Sequence, residues 1–446
     1  MTEDLVIRGG TVFDGSGGEG READIAVSGG RITEIGKILV RGREEIDARG
    51  LMVTPGFVDI HTHYDGQATW EQRLMPSSFH GVTTVVMGNC GVGFAPCRPG
   101  EHDLLIHLMG GVEDIPEVVM TEGIPWTWET YPEYLDTLAR REFDVDIGSY
   151  VPHAALRLFT MGERACRLEP ATDGDLEAMG ALLRQALKAG ALGLGTSQTI
   201  HHRSTDGMSI PTLKASKAEY TALVSAMAEA GRGVFQYVTD FFDEAEFPRQ
   251  FGLLRHLAEC SGRPVTFTLT QHHNRPDDWR WLMEHVDAAR HDGLNMSAQF
   301  FPRAVGIILG HELSLNPFYS RPSYIALADL GFEERIAALR QPEVRARILA
   351  EPIDSNPATL LGLRVANFDE IYPLGDPPDY EPPRDTSIAA MAARQGVTPD
   401  ELAYDLLLEK GGRTLLYMAT SNYASRTLDT CFEALGHDGA VVGLGD

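Results

Sequence analysis

The stretch Gly56-Phe57-Val58-Asp59-Ile60-His61-Thr62-His63-Tyr64-Asp65 decides the fold. The turn Thr54-Pro55-Gly56 feeds a short apolar run that ends in two histidines one residue apart. On an extended chain, residues i and i+2 point to the same side. His61 and His63 can therefore offer two imidazoles to one ion, and neutral imidazole suits zinc. The same pair also occurs at ordinary strand ends, so the surrounding sequence has to decide.

Beyond this stretch, strands and helices alternate. Eight apolar runs read as strands, at Val58, Thr84–Met87, Asp146–Val151, Leu192, Val234, Val265, Leu294 and Val441. Helices are predicted over Asp175–Ala189, from a capping box Ser216-x-x-Glu219 to Gly231, and over Phe247–Cys260, Asp278–Arg290 and Leu428–Leu435. Thr398-Pro399-Asp400-Glu401 opens another with a cap, a first-turn proline and an acid together. Near-continuous apolar strands followed by helices imply buried parallel structure. Eight such units predict an α/β fold of the (β/α)8 TIM type, with its chemistry at the C-terminal ends of the strands. A doubly wound sheet explains the count less well.

Residues 1–55 read differently, as a small β-domain of sandwich type. Leu5–Val12 is a strand broken by glycines, Asp24–Ile35 a hairpin around Gly29-Gly30, and Asp47–Val53 a further short strand. The barrel is expected over residues 56–446, with a long insertion at about 300–397, rich in proline and charge, carrying helical patches at Glu333–Leu339 and Glu343–Ala350. An insertion of that length covers a site or serves contacts between copies, as in a homo-oligomer.

Composition narrows the partners. The 446 residues carry a formal net charge of −26, which repels nucleic acid and anionic membrane surfaces. No run of about 18 apolar residues suggests a membrane span. The acidic start Met1-Thr2-Glu3-Asp4 lacks a signal-peptide pattern, and five scattered cysteines argue for a reducing, cytoplasmic setting.

Several side chains sit at predicted strand ends. Cys90 follows strand two in Met87-Gly88-Asn89-Cys90-Gly91, where a thiolate would be a strong zinc ligand. A core position is the commoner fate of an isolated cysteine; the shared rim with His61 and His63 favours metal. Arg157 follows strand three, His202 and Arg203 follow strand four, Asp240 ends strand five, and Gln271, His272 and His273 end strand six. Asp446 closes the last strand, facing the histidines of the first. A carboxylate there is the pattern of a base beside a metal site.

Taken together, these residues resemble the amidohydrolase superfamily, and within it the N-acyl-D-amino-acid deacylase (D-aminoacylase) family. The likeness rests on Pro55–Asp65, Gly88-Asn89-Cys90-Gly91, Val112-Glu113-Asp114-Ile115-Pro116, Trp126-x-Trp128, Pro132-Glu133-Tyr134-Leu135 and Gly443-Leu444-Gly445-Asp446. Most of the superfamily uses a carboxylated lysine on strand four, and Ala191–Ser197 has none. The resemblance implies one or two Zn2+ ions held by His61, His63 and Cys90, with Asp446 as catalytic base. It also implies ligands at the ends of strands five and six, places filled here by Asp240, if anything, and by Gln271 or His272. The substrate implied is a small N-acyl amino acid, of D-configuration. His202, Arg203, Arg157 and Arg303 are the candidates for binding it, the arginines through its carboxylate. Hydrolysis of cyclic amides or esters, or a metal-free barrel without activity, are the alternatives. Relatives of this pattern continue past the aspartate, so the chain is expected to be a fragment whose β-domain lacks strands from the C-terminal side.

Overall fold

The eight strands predicted for the barrel are present, in chain order, in the computed structural model. It describes residues 2–204, 206–241, 244–352 and 365–443. Strand one is β6 (Phe57–Asp59), strand two β7 (Val82–Met87), and strand three is split at Tyr150 into β8 (Asp146–Ser149) and β9 (Val151–Pro152). Then follow β10 (Gly193–Gln198), β11 (Val234–Thr239), β12 (Val265–Leu269), β13 (Met296–Phe300) and β17 (Ala440–Val442). One arc runs β6-β7-β8, the other β9-β10-β11-β12-β13-β17, all parallel in the second. The amide of Phe57 bonds Gly81 O and that of Thr62 bonds Val86 O, a constant offset that marks parallel strands. The remaining seam lies between strands eight and one. A Cβ at Gly443 would stand 2.8 Å from Ile60 Cγ1 and 3.5 Å from His61 Cβ. The fold is a (β/α)8 barrel.

Helices return the chain between strands for the reasons the sequence offers. Asp173–Ala189 has the Thr172/Asp175 capping box and stops at Gly190. Pro399–Leu407 has its Thr398/Glu401 box. The box expected at Ser216 is only half formed. Ser216 accepts from Glu219 N, but the Glu219 carboxylate turns inward, where it meets His153 and Arg157. Among the described residues no helix is long and apolar enough to cross a membrane.

Contacts divide the chain into two units, one of Met1–Val58 with Ser78–Thr84 and one holding the rest. The smaller unit is a sheet in the order β3-β2-β1-β4, with β5 also on β1. Its strands are β1 (Glu3–Val12), β2 (Arg21–Ser28), β3 (Arg31–Gly36), β4 (Gly42–Asp47) and β5 (Met52–Val53). The Gly29-Gly30 hairpin is present, with both glycines left-handed. Of the short strand expected over Asp47–Val53 only Met52–Val53 forms, as β5, while β4 ends at Asp47. The charged run of β4 shows no alternation, and Arg8 holds it by an ion pair to Glu45 at 2.8 Å.

After β13 the chain makes a folded excursion. Strands β14 (Val305–Leu309), β15 (Ile371–Pro373) and β16 (Leu416–Ser421) form an antiparallel sheet in the order β14-β16-β15. Its own core joins Leu309, Phe318, Ile336 and Ile371 to Leu402 and Leu416, which lie past residue 397.

Candidate metal centre

Strand β6 ends at Asp59, so His61 and His63 lie just beyond the last ladder residue. Thr62 keeps this segment extended: both its amide and its hydroxyl donate to Val86 O, each at 2.9 Å. With Thr62 turned to strand two, the two imidazoles fall on the opposite side, ring centroids 5.4 Å apart.

Cys90 arrives from the neighbouring strand on a sharp turn. Gly88, Cys90 and Gly91 all have positive φ, at 79°, 54° and 75°. A Cβ at Gly88 would lie 2.1 Å from Tyr150 O, and one at Gly91 2.9 Å from Thr196 Cα, so backbone packs where a side chain would stand. Asn89, fully buried, donates to Val86 O at 2.8 Å and Thr62 O at 3.3 Å. Asp65 accepts from Gly88 N at 3.1 Å. These bonds tie the turn to the histidine segment.

The result is one cluster. Ligand atoms of His61, His63 and Cys90 lie within 4.8 Å of one another, and among the described residues these three alone form such a group. His61 Nε2 is 3.3 Å from Cys90 Sγ. Its Nδ1 is 2.7 Å from Gln299 Oε1, an acceptor, so Nδ1 carries the proton and Nε2 keeps its lone pair toward the cysteine. Burial, and next the His63 ring, hold His61 well below the usual histidine range. Burial lowers His63 to about 3. Glu113 Oε1 stands 3.3 Å from His63 Nδ1. Two neutral imidazoles and a thiol with no disulfide are a donor set that zinc accepts, with a position left for a substrate or water.

The other expected site residues are distributed as follows. His202 is electrostatically close: burial, then the rings of His63, His201 and His61, bring it to about 3, and Ser197 Oγ lies 2.8 Å from its Nδ1. Asp240 is turned to the loop after β10, where Thr199 Oγ1 and the Ile200 amide donate to it; burial raises its carboxyl. It shares a small cavity with His272, apart from the three-residue cluster. Gln271 donates its backbone N–H to Asn422 Oδ1 at 2.7 Å, just past β16, and its side-chain amide to Thr430 Oγ1 at 3.0 Å. Arg203 donates to loop carbonyls of Ile200 and Gly207. Arg157 is fully buried and ion-paired to Glu219, which also meets His153. Burial alone would raise the Glu219 carboxyl, but His153 and Arg157 outweigh it and hold it below the usual range. Arg157 thus serves the wall of the barrel and is no rim cation. Arg303 stands over the Tyr380 ring on the excursion, 5.8 Å from its centroid. Asp446 lies outside the described residues.

The excursion reaches this rim. Ser314 Oγ donates to Asp114 at 2.7 Å, one residue past the glutamate that faces His63. The sequence reading named Glu113 only within a family motif, with no part in the site, and passed over Gln236 and Gln299. A signal existed for the two glutamines: each is the one amide side chain inside a largely buried strand, β11 or β13.

The sequence profile of the Amidohydrolase family matches residues 44–446. The chain belongs to this family. It is 38% identical over 194 residues to N-acyl-D-aspartate deacylase of Alcaligenes xylosoxydans xylosoxydans, covering 43% of this chain and 36% of that protein. It is 36% identical over 194 residues to D-aminoacylase of the same organism, covering 43% and 37%. The matches thus span little more than a third of the length of those two curated relatives. In structure it is similar to D-aminoacylase, at TM-score 0.59 and 22% identity over 99% of this chain and 75% of that one. N-acyl-D-glutamate deacylase from Bordetella bronchiseptica, solved with zinc and a phosphonate inhibitor, gives TM-score 0.59 and 22% identity, over 99% and 76%. This similarity agrees with the barrel fold.

The buried histidines set a pH dependence for this family member. His63 and His202 titrate near 3 when folded, against about 6.5 unfolded. Between these values the unfolded chain binds more protons, so stability present above pH 6.5 is lost as pH falls. The slope is up to about 1.4 kcal/mol per pH unit for each such histidine. Urea midpoints of metal-free protein should hold from pH 7.5 to about pH 6.5 and fall from there to pH 5, and a profile flat down to pH 5 would contradict two neutral rings.

Proposed function

We propose that the protein is a metal-dependent hydrolase of carbon–nitrogen bonds, that its ion is zinc, and that its substrates are N-acyl-D-amino acids. The observation that carries this reading is the convergence of His61, His63 and Cys90 within 4.8 Å at the rim of a barrel. The deacylase relatives supply the substrate class.

The three residues would hold the ion, with Gln299 and Glu113 behind the two imidazoles. When bound there, zinc supplies Lewis acidity toward the scissile carbonyl and eases the loss of a proton from water. The proton work falls to Asp446. Its carboxylate oxygen would take the proton of the attacking water and deliver it to the departing amine. The placement of Gly443 beside Ile60 and His61, three residues before Asp446, supports this assignment. His202, neutral and near the metal-binding rings, is proposed to contact the acyl amino acid; the docked excursion would limit access of water to it.

The test is direct. Purified protein should contain zinc by mass spectrometry and should release amino acid from N-acetyl-D-aspartate, -glutamate or -leucine, with little turnover of the L-forms. Dipicolinate should abolish the activity and added zinc restore it. Absence of zinc together with inertness toward all D-substrates would overturn the reading.

A further inference from the structure

Two buried glutamines carry no chemical step in the mechanism above, yet each touches a residue of the proposed metal site. Gln299 on β13 accepts from His61 Nδ1 at 2.7 Å. Gln236 on β11 accepts the backbone N–H of Cys90 at 3.2 Å. Both are fully buried. Parallel partners share a face, and register pairs Gln236 with Gly195 and Thr266, and Gln299 with Thr268. Both amides therefore rise from the barrel interior. Gly195 leaves room for the approach: a Cβ there would stand 2.1 Å from Gly88 O.

The free ends of these amides are informative. Gln236 Nε2 and Gln299 Nε2 are buried and lack a hydrogen-bond partner among the described residues. Burying an unsatisfied polar group is unfavourable, and a methionine would fill the same volume without that cost. The described hydrogen bonds of each side chain go to a metal-ligand residue, so burial of the amide is offset by that contact alone.

We propose that Gln299 and Gln236 are positioning residues that set the metal ligands in place before an ion arrives. Gln299 selects the His61 tautomer whose Nε2 lone pair faces Cys90. Gln236 steadies the left-handed backbone that presents Cys90, φ 54°. A glutamine does this without adding negative charge, unlike a carboxylate behind the ring.

The inference rests on the proposed metal site, and its test separates the two. Zinc affinity is measured by competition with a chromophoric chelator for wild type, Gln299→Met, Gln299→Glu and Gln236→Met. Ring-nitrogen NMR of 15N-histidine-labelled, metal-free wild type, Gln299→Met and Gln299→Glu reports the His61 tautomer. Gln299→Met and Gln236→Met should weaken zinc binding about 10–100-fold. In Gln299→Met, His61 should lose its single tautomer. Gln299→Glu should restore both tautomer and affinity, which a merely space-filling role would not require. Zinc affinity within twofold of wild type in Gln299→Met, with the tautomer unchanged, would overturn the proposal. If Gln299→Met does not fold, Gln299→Asn, which withdraws the amide by one methylene, carries the same comparison. If wild type binds no zinc, the metal-site reading falls, while the tautomer comparison still decides the Gln299 contact.

Discussion

Cys90→Ala is expected to remove zinc from the purified protein and to lower kcat/KM for N-acetyl-D-amino acids by about 10³-fold or more. Losses of outer-shell groups in metal sites run to about 10–100-fold. Loss of one of three protein ligands should exceed that, because the remaining imidazoles of His61 and His63 offer no charge to balance the ion. The fold should survive. Cys90 already occupies the left-handed region at φ 54°, so alanine inherits a backbone conformation that a non-glycine residue holds. Melting curves of metal-free wild type and variant should nearly coincide, and zinc analysis should separate them. A Cys90→Ala protein that keeps stoichiometric zinc and full turnover would show that the cysteine packs beside the site without serving it.

Gly88→Ala should have the largest effect on stability, about 2–5 kcal/mol in urea unfolding. Two terms add. A non-glycine residue at φ 79° pays roughly 1–2 kcal/mol. The new Cβ would meet Tyr150 O at 2.1 Å, and a backbone carbonyl cannot swing aside, so the cost of overpacking, about 1–3 kcal/mol, comes on top. The damage should reach the chemistry, since any shift of the turn moves Cys90, two residues on. Gly29→Ala is the control. It also has a positive φ, of 60°, but nothing within 4 Å of its Cβ position, so only the conformational term of roughly 1–2 kcal/mol applies. Equal midpoints for the two variants would mean that strands two and three do not pack as described.

The barrel was legible because its strands are buried on both sides. Val234–Thr239 and Val265–Leu269 read as near-continuous apolar runs, and capped helices such as Asp173–Ala189 mark the intervals. The edge strand β4 was not legible, because its charged residues are held by Arg8, 37 positions away at Glu45. Within the site, His61, His63 and Cys90 were legible from spacing and strand ends. Arg157 was misread for a reason of partnership. A lone arginine after a strand looks like a cation for a substrate, and only folding brings Glu219, 62 residues on, against it.

Local order in the chain was thus enough to name the fold and to single out His61, His63 and Cys90, which the structure brings together, because strand alternation and a tight glycine turn are properties of neighbouring residues. What packs against those three residues came from folding alone. Gln299 meets His61 across 238 positions, and Gln236 meets Cys90 across 146. Whether a polar side chain on a buried strand faces the barrel axis beside a histidine, or ends as an ordinary core amide, depends on how the strands close into a ring. That register is a property of the whole sheet, and no short stretch of sequence contains it.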